Sequence, residues 1–139
     1  MSADKTIRSY LRAFNAADLD ALADLYAETT DYRQPFLPNA LTTPADIKEF
    51  ESGMFSGFSD VSVELVWLVA DGGGAAAGAV VSATHTGAMP LPDGGELPAT
   101  GRRVRLETAE HLRVDAAGKI VEHQRYMDSG GFMRQLGIV

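Results

Sequence analysis

Side chains able to move protons are concentrated in one stretch, AEHLRVDAAGKIVEHQRYMD, residues 109–128. Its alternating apolar and polar residues predict two strands joined by a tight turn at DAAG. Glu110, His123 and Arg125 fall on the strand face that is otherwise mostly apolar. Charged groups are costly to bury unless they are paired. A buried carboxylate beside a histidine can have its pKa tuned toward neutral pH, which suits general acid–base catalysis.

The register of this hairpin decides which side chains meet. If Asp115 and Gly118 flank the turn, Glu110 lies directly opposite His123, and Arg125 lies on the same face. The other residues of that face are Val104, Leu106, Thr108, Leu112, Val114, Val121 and Met127. We expect this face to point to the core. There the polar groups either line a pocket or form an internally satisfied cluster.

Other sites can be weighed from the same residues. A slip of one residue in the register would move the candidate site to Glu107, His111 and Asp128. A metal site is disfavoured, because His85, His111 and His123 lack a short ligand spacing such as H-x-H, and the chain has no cysteine. No G-x-S-x-G motif marks a nucleophilic serine, and the segment DGGG lacks nucleotide-loop spacing. We therefore expect no metal site, no nucleophilic serine and no nucleotide-binding loop.

Helical periodicity predicts three helices in the N-terminal half. Ser2 and Asp18 are suited to cap the first two, and Thr43 followed by Pro44 is a typical start for the third. The apolar faces comprise Ile7, Tyr10, Leu11 and Phe14 in the first helix, Leu19, Leu22, Leu25 and Tyr26 in the second, and Ile47, Phe50 and Met54 in the third. The two prolines of YRQPFLP end any helix there.

The remainder of the chain predicts strands. Alternation from Val61 to Val69 gives one strictly apolar face, and AAAGAVVSATHT, RRVRLETAEHLRV and KIVEHQRYMD follow as further strands. MPLPDGGELP predicts a loop, and the tail GGFMRQLGIV begins as a short helical turn. Helices followed by an antiparallel meander are typical of an α+β fold, with the helices on one face of a curved antiparallel sheet. We expect residues 1–139 to form one domain.

Charge and hydropathy bear on partners and location. The net charge of −7, from 19 acidic and 12 basic side chains, disfavours nucleic-acid or anionic-membrane binding. No apolar run approaches the roughly 18 residues that a membrane helix needs. The N-terminal sequence MSADKTIRSYL also lacks the apolar core of a signal peptide. We therefore expect a cytoplasmic protein.

Four segments together resemble the SnoaL-like polyketide cyclase family of the nuclear transport factor two-like superfamily. They are YLRAFNAADLDALADLYAE, FSGFSDVSVELVWLVADG, HTG with PATGRRV, and GKIVEHQRYMDSGGFMRQLG, and they cover nearly the whole chain. The resemblance implies a cone-shaped α+β fold, in which helices cover a strongly curved antiparallel sheet around a deep apolar pocket. It also implies a homodimer formed through the outer sheet face, and a reaction without a cofactor.

The resemblance further implies a reaction type. Characterised cyclases of this family close a ring by an intramolecular aldol reaction, in which a base removes a proton next to a carbonyl and polar groups stabilise the enolate. The family's acidic base lies on the last strand, where this chain has Arg125, with Asp128 at the strand end. Our leading hypothesis for this chain is that Glu110 or Asp128 is the base, His123 is the proton partner and Arg125 stabilises the enolate or carbonyl.

The expected substrate is a small or medium apolar carbonyl compound. The residues expected to line its pocket are Tyr10, Phe14, Tyr32, Phe50, Met54, Thr108 and Met127.

One alternative is a non-catalytic small-molecule-binding or dimerisation module. Another is epoxide hydrolysis, which in limonene epoxide hydrolase-like proteins needs an arginine bridging two aspartates. Arg125 is present, but a matching aspartate pair is not evident. Ketosteroid isomerase-like proteins place their base before a proline, where this chain has Gln34.

Overall fold

The computed structural model describes residues 2–91 and 93–138. The elements are α1 (Ala3–Asn15), α2 (Leu19–Ala23), β1 (Tyr26–Arg33), α3 (Pro44–Ser56), β2 (Phe58–Asp71), β3 (Gly74–His85), β4 (Met89–Pro90), β5 (Glu96–Leu97), β6 (Arg103–Val114), β7 (Ile120–Met127) and α4 (Ser129–Gln135). The three predicted helix starts are confirmed. The side chains of Ser2, Asp18 and Thr43 each accept a hydrogen bond from a backbone amide in the first helical turn.

The sheet is mixed, with the strand order β1-β7-β6-β3-β2. Strands β2, β3, β6 and β7 pair antiparallel, as predicted, whereas β1 runs parallel to β7. The helical prediction for Leu25 and Tyr26 is wrong, because α2 ends at Ala23 and Tyr26 begins β1. Pairing with β7 outweighs the local helical spacing there. The predicted α+β fold class is confirmed.

Strand β2 faces two environments along its length. Val61 and Val63 line the internal cavity between helices and sheet. A bulge immediately before Trp67 then shifts the alternation. The indole of Trp67 lies on the outer face against Gly78, where any Cβ would collide with it. Trp67 and Val69 are 47% and 63% exposed. The prediction of one strictly apolar face is therefore wrong beyond the bulge.

The β6–β7 hairpin differs from its predicted register by two residues. Glu110 lies opposite Arg125, not opposite His123. The pairing at the turn contributes one residue of this shift, and a bulge at Val121 contributes the other. A shift of two keeps side chains beyond the bulge on their predicted face, so Glu110, His123 and Arg125 still point inward. Ile120, before the bulge, is fully buried instead of lying on the polar face.

Two clusters of buried apolar side chains attach the helices to the sheet. The larger joins α1, through Ile7 and Tyr10, to the last hairpin. The smaller joins Phe132 of α4 to Phe36 in the segment after β1. Burying one large apolar side chain is worth about 1.5–3 kcal/mol, so these clusters position the helices over the inner sheet face. Within residues 2–91 and 93–138, no helix is long and apolar enough to cross a membrane.

His85, at the end of β3, is fully buried. Its Nδ1 accepts a hydrogen bond from the backbone amide of Thr100 at 3.2 Å. This bond places the ring proton of the neutral histidine on Nε2, which has no hydrogen-bond partner among the described residues. Burial lowers the pKa of His85, since a charged ring would lose its hydration there.

We expect the free energy of unfolding to decrease as the pH falls below about 6.5, the ordinary histidine value. The unfolded chain then binds a proton that folded His85 resists, so this contribution is complete above that pH and is lost progressively below it. Urea denaturation at several pH values measures the slope. His85→Asn, which retains an acceptor for the Thr100 amide, should flatten the slope, whereas His111→Asn on the exposed face should not. An unchanged slope in His85→Asn would contradict the prediction.

Candidate active site

Arg125, on β7, is the centre of a buried polar network, and its side chain is 11% exposed. Its Nε donates to Oε1 of Glu110 at 2.9 Å, with Oε2 of the same carboxylate 3.4 Å away. Its Nη2 donates to the hydroxyl of Tyr10, and its Nη1 lies 3.9 Å from Oε1 of Glu51. The guanidinium carbon lies 5.0 Å from the ring centroid of Phe14. One cation therefore connects two carboxylates, a phenol and an aromatic face.

Glu51 is the member of this network that the sequence analysis missed. It lies on α3, is 2% exposed, and accepts a hydrogen bond on Oε1 from the hydroxyl of Tyr32 at 2.6 Å. Its spacing was an available signal, because it falls on the same helical stripe as Ile47, Phe50 and Met54. A carboxylate within an apolar stripe has to be paired or placed at a site.

His123 lies behind the network. Its Nδ1 is 2.8 Å from the hydroxyl of Tyr26, and its Nε2 is 3.5 Å from Oε2 of Glu110. Burial raises the pKa of Tyr26 well above its ordinary value, so this phenol is protonated and can donate to Nδ1. The imidazole then carries its proton on Nε2, facing Glu110. The 3.5 Å contact is electrostatic and does not satisfy hydrogen-bond geometry.

The network borders a cavity of about 90 Å³ between the helices and the inner sheet face. The polar residues that line it are Tyr10, Gln34, Glu51, Thr108, Glu110 and Arg125. The other lining residues are apolar and include Phe14, Phe36, Phe55, Phe58 and Phe132. This combination of an apolar wall with a few convergent polar groups is typical of a small-molecule site.

Burial and mutual contact set the charges of the network. Burial by itself would raise the pKa of Glu110, but Arg125 and His123 more than compensate and hold it below the ordinary value. Burial opposes the charge on Arg125, yet Glu110 helps to raise the pKa of the guanidinium well above its usual range. Both groups therefore stay ionised. Burial also raises the pKa of Tyr10 and Tyr32, which keeps both phenols protonated.

Most of the predicted site residues come together in the structure. Those that line the cavity are Tyr10, Phe14, Met54, Thr108, Glu110, Arg125 and Met127. Tyr32 and His123 are fully buried and contact the network from behind the cavity wall. Phe50 packs against both apolar clusters. The cavity therefore combines residues from α1, α3 and the last hairpin.

The structure does not bring Asp128 to this site. Its side chain is 74% exposed, and its carboxylate caps α4 by accepting a hydrogen bond from the amide of Gly131 at 2.8 Å. Glu107 and His111 are exposed on the opposite face of the sheet, so the alternative site based on a one-residue slip does not form. The strand alternation thus selected the correct face for Glu110, His123 and Arg125, whereas Asp128, directly after β7, caps α4 and does not reach the site.

Gln34 also lines the cavity and is 5% exposed. Its Oε1 accepts a hydrogen bond from the amide of Phe36 at 2.7 Å, so the side chain is held in place as a neutral group. Within residues 2–91 and 93–138, no group of three or more His, Cys, Asp or Glu side chains is arranged to hold a metal ion.

Comparisons with known proteins confirm the resemblance noted in the sequence. The family model of the SnoaL-like domain matches residues 7–123. Among solved structures, TsrD from Streptomyces laurentii is 26% identical with a TM-score of 0.78, over 98% of this chain and 95% of that one. IdmH from Streptomyces antibioticus, a candidate polyketide cyclase, is 24% identical with a TM-score of 0.78, over 99% of both chains. A candidate SnoaL-like polyketide cyclase from Jannaschia sp. CCS1 has a TM-score of 0.85 at 15% identity, over 99% and 92%. No curated protein matches the chain significantly.

Removing the charge of Glu110 should destabilise the protein strongly. Glu110→Gln leaves the buried guanidinium of Arg125 without its close anionic partner, and breaking such a pair typically costs about 3–5 kcal/mol. Glu122→Gln is the matched control, because Glu122 pairs with Nε of Arg113 at 2.7 Å across the same two strands, with both side chains more than half exposed. An exposed pair contributes at most about 1 kcal/mol. Urea denaturation measures both losses, and equal losses would contradict the buried pair.

The same pair should also give an acid-dependent signature. Because the pKa of Glu110 is lower in the folded protein than its ordinary value, its stabilising contribution is complete above about pH 4.5 and is lost as the pH falls further. The difference in unfolding free energy between wild type and Glu110→Gln should therefore narrow in that acidic range. A constant difference would show that Glu110 is not held ionised by its partners.

Proposed function

Because the chain belongs to the SnoaL-like domain family, we propose that it is a cofactor-free enzyme that uses general acid–base chemistry on a small or medium apolar carbonyl compound. The reaction is an aldol cyclisation or an isomerisation through an enolate. The observation that carries the proposal is the concentration of Tyr10, Glu51, Glu110 and Arg125 on the wall of one otherwise apolar cavity. Enolate chemistry needs a base and a hydrogen-bond donor close together, and this wall offers both.

Tyr10 is the proposed donor to the carbonyl oxygen of the substrate. Arg125 donates to the oxygen of the Tyr10 hydroxyl, which leaves the hydroxyl hydrogen free to donate into the cavity. Burial keeps this phenol protonated. The guanidinium beside it polarises the O–H bond, so the donor strengthens as negative charge develops on the carbonyl oxygen.

The proposed reaction begins when a carboxylate of the network removes a proton from the carbon next to the carbonyl. The electron pair of that C–H bond then forms the enolate. In a cyclisation the enolate carbon attacks a second carbonyl of the same molecule, and the new alkoxide takes the proton back. In an isomerisation the proton returns to a different carbon, so the protein ends unchanged in either case. His123 is the second proton-carrying group, since its Nε2 lies 3.5 Å from Glu110.

A second candidate reaction is the hydrolysis of an epoxide. The position of Arg125 favours it, because the guanidinium lies between the carboxylates of Glu110 and Glu51, at 2.9 and 3.9 Å. In this reaction a carboxylate takes a proton from water, and the resulting hydroxide attacks a ring carbon and breaks its C–O bond. The alkoxide that is released then takes back the proton held by the carboxylate. Glu110 and Glu51 thus form a pair of carboxylates joined by an arginine, with glutamates in place of the two aspartates.

Tyr10→Phe tests the proposed reaction directly. Exchange of the α-protons of β-tetralone in heavy water, followed by proton NMR, measures enolate formation without knowledge of the natural substrate. We expect wild type to accelerate this exchange and Tyr10→Phe to lower the catalysed rate about 100-fold, the usual cost of losing one oxyanion donor. Tyr126→Phe, at a phenol that is 57% exposed, is the control and should have no effect.

The outcomes of this experiment separate the candidate functions. Acceleration of exchange supports the enolate enzyme, whereas hydrolysis of styrene oxide without exchange supports the epoxide reaction. If wild type accelerates neither reaction but β-tetralone binds in the cavity, the protein is a binding module and the proposed enzyme is rejected. Chemical-shift changes on titration with the ketone measure that binding.

We also propose that two copies of the chain associate through the outer face of the sheet. Trp67 and Tyr126 lie on one line across four strands, through the successive pairs Trp67–Gly78, Gly78–Ala109 and Ala109–Tyr126. The two aromatic side chains are 47% and 57% exposed, with small residues between them. A two-fold axis through this face would let each copy bury its aromatic side chains against the small residues of the other.

Trp67→Glu should abolish this association, because it places a charge within the proposed interface. Sedimentation velocity measures the oligomeric state over a range of protein concentrations. We expect a dimer for wild type and a monomer for Trp67→Glu. Ile138→Glu is the control, since Ile138 is 40% exposed but lies outside the sheet. A wild-type protein that stays monomeric at high concentration would reject the proposed dimer.

A further inference from the structure

Glu51, on α3, is a second buried carboxylate on the cavity wall. We propose that Glu51, rather than Glu110, is the base that removes the proton of the substrate, an inference that rests on the enolate chemistry proposed above. Both carboxylates line the cavity and both approach Arg125. They differ in how many of their carboxylate oxygens already contact a donor or a cation, and this difference decides which carboxylate can accept a proton.

Both carboxylate oxygens of Glu110 already contact donors. Nε of Arg125 contacts its Oε1 at 2.9 Å and its Oε2 at 3.4 Å, while His123 faces Oε2 from the other side. These positive and polar neighbours also lower the pKa of Glu110 against the effect of burial. A carboxylate stabilised in this way is a weak base. Its function in the network is to hold Arg125 in position.

Within residues 2–91 and 93–138, only one carboxylate oxygen of Glu51 contacts a donor. Its Oε1 accepts the hydrogen bond from Tyr32 at 2.6 Å and lies 3.9 Å from Nη1 of Arg125. None of the described residues donates a hydrogen bond to Oε2, although the other carboxylate of the network has both oxygens engaged. Because Glu51 lines the cavity, this free oxygen is the proton acceptor that a bound molecule can reach. The bond from Tyr32 fixes the carboxylate and restricts its rotation.

Arg125 also sets the distance between this base and the donor to the carbonyl. Its Nη1 approaches Glu51, and its Nη2 donates to Tyr10. The two terminal nitrogens belong to one planar guanidinium, so Glu51 and the Tyr10 hydroxyl lie side by side on the cavity wall. A ketone whose oxygen accepts from Tyr10 therefore has an adjacent carbon close to Glu51. The C–H bond breaks, an O–H bond forms on Glu51, and the electron pair remains on the enolate.

Three substitutions test the assignment in the β-tetralone exchange assay. Glu51→Gln keeps an acceptor for Tyr32 but removes the base, and we expect it to lower the catalysed rate at least about 100-fold. In Glu51→Gln the rate should also lose the pH dependence that reports ionisation of the base. Glu51→Asp should retain that pH dependence at a reduced rate. Glu49→Gln, on the exposed side of the same helix, should behave as wild type.

Glu110→Gln and Glu110→Asp complete the comparison, with circular dichroism establishing that each variant is folded. The second of these keeps a negative charge beside Arg125 and remains informative if the first unfolds. We expect both folded variants to retain more exchange activity than Glu51→Gln. Loss of exchange in the Glu110 variants with full activity in Glu51→Gln would overturn the assignment of Glu51 and leave the enolate enzyme standing. No acceleration by wild type would overturn both.

Discussion

The ion pair between Arg125 and Glu110 is the interaction on which the rest of the site depends. A guanidinium this far from water is tolerated only when its donors have partners. Nε is directed to Glu110 on β6, and Nη2 to Tyr10 on α1. One side chain thus fixes the distance between the sheet and the first helix on the polar side of the cavity. The apolar clusters hold the same elements together, but unlike the guanidinium they do not require particular atoms to meet.

Aromatic side chains enclose this polar network and strengthen its contacts. The ring centroids of Tyr10 and Tyr32 each lie 4.8 Å from that of His123, so the imidazole is enclosed by phenols. Their hydroxyls serve different partners, since Tyr32 donates to Glu51 while Tyr10 accepts from Arg125. Exclusion of water lowers the local dielectric and strengthens each of these contacts. The same exclusion makes an unpaired charge expensive, which explains why Nε and Nη2 of Arg125 both have close partners.

The parts of the fold that depend on local patterns were predictable from the sequence. The capping residues marked the helix starts, and strand alternation placed Glu110, His123 and Arg125 on one inward face. The predictions that were wrong concern pairing between strands that are distant in sequence. The bulges before Trp67 and at Val121 are set by neighbouring strands, and β1 exists because β7 pairs with it. Glu51 was not predicted, although its spacing from Ile47 and Met54 on α3 indicates that it lies on the buried face of that helix.

The position of β7 has a consequence for how the protein is made. It is the last strand of the chain, yet it lies inside the sheet between β1 and β6. A ribosome therefore releases β1, with Tyr26 and Tyr32, long before the strand with which it pairs, and the nascent chain cannot close this side of the sheet until β7 has been made. Arg125 and His123 arrive at the same late moment. The polar wall of the cavity and this side of the sheet are thus completed in one step, which has to bring together segments distant in sequence.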